Sequence, residues 1–333
     1  MAEVTANEIE LGASDRGAAP SRSGAIVSRT PASLAWARFR ADRKTLIGAI
    51  IVAIYVILAI LAPILVAAHV LDPYTAHSDL IDSESLPTGG TGVSWAHPLG
   101  VEPGIGRDTL SRVGYGLAIS LFISSVAAVL TVVIGVILGI IAGMSRSWAD
   151  TLIGRLVDLV LSFPQTLMLL ALSGVVVGVL TGTLKIPAGD PAQATYVIVV
   201  LAVFGWPSVT RVVRGQVLSL REREFIDAAR LLGASRTRLY FTEVLPNLWA
   251  PILVQFTLIL PAYVSAEAAL SYLGVSINPP TPTLGNILKS SLQYAQGDFL
   301  YFIVPAFLLV LIVVSFNLLG DGLRDALDPK TNR

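Results

Sequence analysis

Long apolar runs separated by short polar segments dominate the chain. Six of these runs are long enough to cross a bilayer as helices, because a membrane helix needs about 20 residues. They comprise residues 46–68, 117–143, 156–182, 196–213, 248–273 and 300–319. The fourth run is the least regular, since Gly205, Trp206 and Pro207 interrupt it. The pattern predicts an all-α, polytopic membrane protein with six transmembrane helices.

Polar segments flank this apolar region at both ends. Residues 1–40 are rich in Ala, Ser, Gly and Arg, a composition that buries too little apolar surface to fold alone. We expect them to form a disordered cytoplasmic tail. Residues 41–329 then form the membrane domain, and residues 330–333 form a short C-terminal tail.

One charged insert, at about residues 219–247, stands between the fourth and fifth runs. Four apolar residues recur there at i, i+3, i+4 and i+7, which places them on one face of a helix: Phe225, Ala228, Ala229 and Leu232. Gly233 follows where a left-handed residue commonly ends a helix. Ser235 can cap a second helix by accepting a backbone N–H. The insert is therefore predicted to form a helix, a sharp turn and another helix.

Small residues and prolines recur inside the apolar runs. Two rows at the spacing G-x-x-x-G predict close approach of helix backbones: Gly135, Gly139 and Gly143 in the second run, and Gly174, Gly178 and Gly182 in the third. The spacing does not identify the helix that each row contacts. Prolines that favour kinks also occur in the runs: Pro63, Pro164, Pro207, Pro251, Pro261 and Pro305. Such kinks either open a path between helices or are static.

Composition agrees with a membrane protein. Of the 333 residues, 54% are hydrophobic and 14% are charged, and the mean hydropathy is +0.72. Soluble domains carry about 25% charged residues. The net charge is zero and there is no cysteine, so neither nucleic-acid binding nor disulfides are expected. The three histidines share one polar loop without the spacing of a helical metal site.

The basic residues are distributed unevenly between the two sides. Nineteen of the 23 Lys and Arg residues fall in segments on one side. The other side holds four: Arg107, Arg112, Lys185 and Lys289. The positive-inside rule places the richer side in the cytoplasm. Both termini and the 219–247 insert are therefore expected to be cytoplasmic.

Within the insert, Asp227-Ala228-Ala229, Gly233 and Leu245-Pro246 resemble the "EAA" loop of ABC-importer permeases, with Asp227 in place of the usual Glu. The resemblance implies that this loop docks an ATPase subunit. The residues it assigns to coupling are Phe225, Asp227, Ala228, Ala229, Leu232, Gly233, Leu245 and Pro246. Periodicity alone is equally compatible with an amphipathic helix that lies on the inner leaflet.

Three further stretches are similar to the dipeptide, oligopeptide and nickel branch of these permeases. They are His97-Pro98-Leu99-Gly100 with the following Gly106-Arg107-Asp108, the run 268–274, and the C-terminal run 317–329. In the first stretch Val101-Glu102 replaces the branch's usual Thr-Asp. Together the motifs resemble the second, "C"-type permease subunit of that branch.

The resemblance implies a type I ABC-importer permease fold with a cytoplasmic coupling helix, in a bacterial cytoplasmic membrane. It implies a second homologous permease subunit as heterodimer partner, two ATPase subunits, an extracytoplasmic solute-binding protein and a peptide-like solute. The chain itself would be a non-catalytic subunit. It contains no G-x-x-x-x-G-K-[ST] phosphate loop, so ATP and Mg²⁺ are expected on the partner ATPases.

Three polar residues inside the runs are candidates for the substrate pathway. Glu267 is a carboxylate deep within the fifth run, and Gln255 and Asn317 are weaker candidates. Charge inside a membrane is expensive and therefore often functional, but Glu267 fits a structural hydrogen bond between helices equally well. The alternatives to an importer subunit are a secondary transporter or a channel-like membrane subunit without an ATPase partner. An intramembrane enzyme would need paired catalytic groups, which the runs lack.

Overall fold

The computed structural model describes residues 31–145 and 147–327, which contain helices and no strand. The α-helices of these residues, in chain order, are α1 Pro31–Ala41, α2 Arg43–Ala67, α3 Thr109–Met144, α4 Trp148–Leu161, α5 Gln165–Ala171, α6 Ser173–Gly182, α7 Asp190–Leu220, α8 Glu224–Leu231, α9 Arg236–Arg238, α10 Trp249–Tyr272, α11 Leu284–Tyr294 and α12 Phe299–Leu327. A π-helical turn at Leu239–Val244 and a 3₁₀ turn at Leu245–Leu248 join α9 to α10.

Among these residues, five helical segments are long and apolar enough to cross a membrane: α2, α3, α7, the continuous Arg236–Tyr272 segment and α12. Counting the bent pair α4 and α5 as one span raises the number to six. The predicted all-α membrane architecture is therefore confirmed. Pro207 leaves α7 continuous, so the irregular fourth run forms a complete helix.

The third predicted run, residues 156–182, differs from a single straight helix. It contains the end of α4, all of α5 and all of α6, and α4 and α5 are bent by 76°. Pro164 lies at this break with extended backbone angles and precedes α5. Proline has no N–H to donate and restricts the residue before it, which explains why the helix stops there.

The most extensive helix–helix contact among the described residues joins α3 to α7. A Cβ atom placed on any glycine of the α3 row would lie 2.5–2.7 Å from a valine Cβ of α7. The facing pairs are Gly135 with Val209, Gly139 with Val213, and Gly143 with Val217. Because both positions advance by four residues at each step, the two helices run parallel here. Thr210 also donates a hydrogen bond to the carbonyl oxygen of Gly135, at 3.2 Å.

The second glycine row lies on α6 and has no such neighbour. A Cβ placed on Gly174, Gly178 or Gly182 would meet nothing within 4 Å among the described residues. The exposed side chains of Val175 and Val179 lie on the same short helix. This part of α6 therefore presents a bare surface.

A buried ionic cluster fixes the long α2–α3 connection to the end of the bundle where α3 begins. The Glu102 carboxylate accepts a hydrogen bond from Arg107 at 2.6 Å and another from the Tyr301 hydroxyl at 3.0 Å. The Nε atom of Arg112 lies 3.3 Å from the same carboxylate. Arg112 also donates to the backbone carbonyl of Pro280. The residue that departs from the branch pattern, Glu102, thus joins the connection to α3 and α12.

The predicted terminal tails fall mostly outside the described residues. Residues 1–30 and 328–333 are not described, whereas residues 31–41 form α1. Helix therefore extends into the last ten positions of the predicted disordered tail, residues 31–40. In α1, Trp36 and Phe39 stack with ring centroids 5.5 Å apart. Because these aromatic groups can bury apolar surface, this segment differs from the rest of the polar arm.

Candidate functional site

The insert contains a short helix, α8, immediately after α7. Glu224 and Asp227 lie in its first turn and Arg230 lies in its last, an arrangement that complements the helix dipole. Asp227 and Arg230 also form an exposed ion pair at 3.0 Å. These charges at the two ends favour a helix over the eight residues of α8.

Gly233 ends this helix in the left-handed conformation that the sequence predicts, with φ of +78°. Its N–H donates to the Arg230 carbonyl at 2.9 Å, and the Ala234 N–H donates to the Ala229 carbonyl at 3.0 Å. These two bonds form a Schellman motif. A Cβ at Gly233 would meet no other atom within 4 Å in the described part of the chain, so the requirement for glycine is conformational and not steric. Ser235 caps the next helix by accepting the Arg238 N–H, as predicted.

Helix α8 has one buried side chain that fastens it to the membrane helices. Ile226 is fully buried and packs in a cluster with Val217 of α7 and with Val244 and Leu248 at the entrance to α10. The predicted apolar face did not include Ile226. The sequence signal that could have predicted its burial is that Ile226 is a large β-branched residue about 100° away from that face on the helical wheel.

The opposite side of α8 is apolar and exposed. Leu231 and Leu232 are 89% and 88% exposed, and Phe225 is 40% exposed. Ala228 is exposed as well, whereas Ala229 is half-buried between this side and Ile226. The four residues of the predicted apolar face thus lie on or beside the exposed side. Leu231 also belongs to this side, although the predicted face did not include it. Large apolar side chains this exposed on a charged loop are typical of a surface that a partner covers.

Leu245 and Pro246 lie where the insert rejoins the bundle. Leu245 is half-buried and packs against the Ile226 cluster, while Pro246 is exposed. Pro246 cannot donate an N–H to the preceding turn, which explains why the π-helical turn changes here to a 3₁₀ turn. Leu245-Pro246 therefore shapes the joint between the insert and α10.

Basic residues at the end of α7 hold the neighbouring helices together. Arg214 makes a bidentate pair with Asp150 of α4, at 2.6 and 2.9 Å. Arg221 donates to the Gly143 carbonyl at 2.9 Å and so caps the C-terminal end of α3. The insert thus continues from a helix that is tied to both α3 and α4. In the sequence alone, these arginines indicate only which side of the membrane the insert lies on.

The three pathway candidates have different environments. Glu267 is fully buried, and its Oε1 accepts a hydrogen bond from Ser276 at 3.1 Å while its Oε2 has no partner among the described residues. Gln255 is half-buried in α10 and Asn317 is exposed on α12. Their burial thus ranges from complete at Glu267 to exposed at Asn317, and their pathway role stays a prediction. No group of residues that could hold a metal ion occurs in the described part of the chain.

Two family models match this chain. One, described as "Binding-protein-dependent transport system inner membrane component", matches residues 135–333, a range that includes the insert, α10 and α12. The other, described as "N-terminal TM domain of oligopeptide transport permease C", matches residues 30–86, which include α1 and α2. Together they cover both the early helices and the part of the bundle that holds the candidate site.

Similar proteins span almost the whole chain. The dipeptide transport system permease protein DppC of Haemophilus influenzae is 34% identical over 91% of this chain and 96% of its own length. The glutathione transport system permease protein GsiD of Salmonella typhimurium is 38% identical over 91% of each chain. An inward-facing structure of the MetNI methionine ABC transporter aligns with a TM-score of 0.51 at 20% identity, over 66% of this chain and 97% of that one. The chain belongs to the binding-protein-dependent transport system inner membrane components, in the permease C branch of the ABC importers.

Proposed function

We propose that this chain forms half of the translocation pathway of an ATP-driven peptide importer and that α8 is its coupling helix. The observation that carries this proposal is the two-sided character of α8. Its Leu231 and Leu232 side chains are almost fully exposed, while Ile226 on another side is fully buried in the bundle. A helix that only lay on a membrane surface would not need such an anchor.

The anchor gives a route by which movement of a docked subunit would reach the membrane helices. Ile226 packs with Val217 of α7 and Leu248 at the entrance to α10. Packed cores have discrete arrangements and do not deform continuously. An ATPase that displaces α8 would therefore shift α7 and α10 together. The ion pair of Arg214 with Asp150 would carry the shift to α4.

The proposed assembly contains two ATPase subunits, a second homologous permease subunit and an extracytoplasmic solute-binding protein. Support comes from the family itself, whose description is binding-protein-dependent transport. ATP and Mg²⁺ would bind the ATPase subunits. The bundle end that carries α8 would face the cytoplasm together with both termini, as the basic-residue asymmetry favours.

The proposed solutes are di- and oligopeptides or related small molecules. The support is that relatives are named for dipeptide, di/tripeptide and glutathione transport. We retain Glu267, Gln255 and Asn317 as proposed pathway residues. Glu267 would reach a solute only after helix movement, because it has no exposed surface in this conformation.

The docking proposal is tested by Leu232→Asp in the complete importer. The Leu232 side chain is 88% exposed, so the substitution should leave the fold of the permease intact. A buried aspartate at an apolar interface costs several kcal/mol without a partner. We expect the ATPase subunits to co-purify poorly and substrate-stimulated ATP hydrolysis to fall at least tenfold. Leu184→Asp, at a 62% exposed leucine near the other end of the bundle, is the matched control.

A second variant tests the geometry of the same loop. Gly233→Val places a β-branched residue at positive φ, which costs about 1–2 kcal/mol or more in strain, although the site has room for its side chain. Uptake and ATP hydrolysis should fall together while the permease stays in the membrane. Normal uptake and full ATPase retention in Leu232→Asp would overturn the docking proposal. Loss of both variants from the membrane would instead indicate a purely structural loop.

A further inference from the structure

A groove at the bundle end that carries α8 is separate from the coupling surface. It has a volume of about 310 Å³ and lies between α1, the beginning of α10 and the end of α12. Every lining residue is apolar: Ala35, Trp36, Phe39, Leu253, Leu319, Leu323, Ala326 and Leu327. An apolar groove of this kind at the end of membrane helices suits a hydrocarbon chain better than a polar ligand.

Positive charge surrounds the α1 side of this groove. Arg40 lies with its guanidinium carbon 4.7 Å from the ring centroid of Trp36, which lines the groove. Arg43 and Lys44 follow within four residues, and all three side chains belong to exposed residues. None of the three forms an ion pair among the described residues. These cations are therefore available to an anionic group.

The acidic residues nearby offset only part of this positive charge. Asp42 lies between the cations in sequence and caps α2 by accepting the Lys44 and Thr45 N–H groups, so its single negative charge leaves an excess of positive charge from Arg40, Arg43 and Lys44. Asp321 and Asp325 of α12 lie two residues on either side of Leu323. The helical period turns them to the face opposite the groove lining.

The groove is also open to the surroundings of the bundle. In the first turns of α2, next to α1, Ile47 and Ile50 are 55% and 53% exposed. Trp36 is 54% exposed, and tryptophan is enriched where membrane hydrocarbon meets water. The apolar side chains, the Trp36 ring and the basic side chains thus follow one another along the groove. The same order, from acyl chain through interface to phosphate group, occurs in a phospholipid of one leaflet.

We propose that this groove is a binding site for an anionic phospholipid. One acyl chain lies against Phe39, Leu319 and Leu323, and the phosphate group contacts Arg40 with Arg43 or Lys44. Such a lipid holds α1 against α12. The site depends neither on the solute nor on ATPase docking, so it stands or falls separately from the proposed function.

The test is lipid retention by the purified full chain, measured by native mass spectrometry from mixtures of phosphatidylglycerol and phosphatidylcholine with identical acyl chains. We expect the wild type to retain phosphatidylglycerol preferentially. The triple variant Arg40→Gln, Arg43→Gln, Lys44→Gln should weaken this retention at least about tenfold, since each basic residue near an anionic surface adds to affinity. The double variant Lys185→Gln, Lys289→Gln removes charge elsewhere and should retain the lipid.

Two further measurements separate the groove from general charge attraction. Ala35→Trp fills the groove while keeping all three cations, and it should also reduce retention. Inorganic phosphate should not displace the lipid, because it has no acyl chain. Equal binding of both lipids, undiminished retention in the triple variant, or displacement by phosphate would each overturn the proposal. Size-exclusion chromatography and circular dichroism identify any variant that has lost its fold. If the triple charge variant is one of these, the exposed Arg40→Gln single variant replaces it.

Discussion

Two glycine rows with the same spacing have opposite environments in this molecule. The row on α3 is filled by the valines of α7, with Val213 within 2.7 Å of a Cβ placed on Gly139. The row on α6 has nothing within 4 Å of Gly178 among the described residues. Identical spacing therefore does not establish that a helix contact exists within the same chain. The difference separates a glycine that the fold requires from one that only a partner in an assembly could require.

The largest expected effect is that of Gly139→Leu. The new side chain would overlap Val213 and the Thr210 carbonyl, which lies 3.1 Å from the Cβ position. Overpacking costs 1–3 kcal/mol typically and more where backbone cannot move, so we expect about 3 kcal/mol or more. Thermal unfolding in detergent and the amount of chain in the membrane measure it. Wild-type stability in this variant would show that α3 and α7 do not pack as described.

A paired substitution sharpens the assignment of this contact. Gly139→Ala alone should destabilise the bundle, because its Cβ would lie 2.7 Å from both Cβ and Cγ1 of Val213. Val213→Ala removes Cγ1 but keeps Cβ, and should therefore relieve part of the overlap. We expect the double variant to be more stable than the sum of the single effects by about 1–2 kcal/mol. Strict additivity in unfolding measurements would place Val213 away from Gly139.

A smaller effect is expected at the hydroxyl of Tyr263, which joins three helices beside the α3–α7 contact. It lies 2.8 Å from the Thr131 hydroxyl and donates to the Leu201 carbonyl at 2.9 Å. Tyr263→Phe leaves buried polar atoms without this partner, which costs about 1 kcal/mol or slightly more. Tyr272→Phe is the control, because Tyr272 is 37% exposed and has no hydrogen bond of its hydroxyl among the described residues. Equal stability of the two variants would contradict the three-helix junction.

The smallest effect is expected for Gly178→Leu, the counterpart of the first substitution. Its Cβ would meet nothing within 4 Å among the described residues, so we expect the stability of the isolated chain to change by no more than about 0.5 kcal/mol. Thermal unfolding of the isolated chain checks this. The same variant in the complete importer then shows whether a partner subunit covers α6. A destabilised isolated chain would remove the contrast between the two rows.

Local sequence determined the features whose cause is local. The apolar runs identified the membrane helices because the backbone must satisfy its hydrogen bonds within each span. Gly233 was predictable at positive φ because a helix end followed by a capping serine restricts the chain at that position. The outward face of α8 followed from helical periodicity, and the cap at Ser235 followed from its side chain.

Only the tertiary structure decided the features that depend on distant partners. Only the α3 glycine row packs against the valines of α7, and only Ile226 of α8 is buried in the bundle core. Glu102 became a buried partner of Arg107 and Tyr301, which is 199 residues away. Pro164 marked a break in the sequence, but the 76° bend depends on how α4 and α5 pack. Residue spacing along one helix determines the shape of that helix's surface. The energy of a helix contact also depends on the surface of the second helix, which the spacing does not specify.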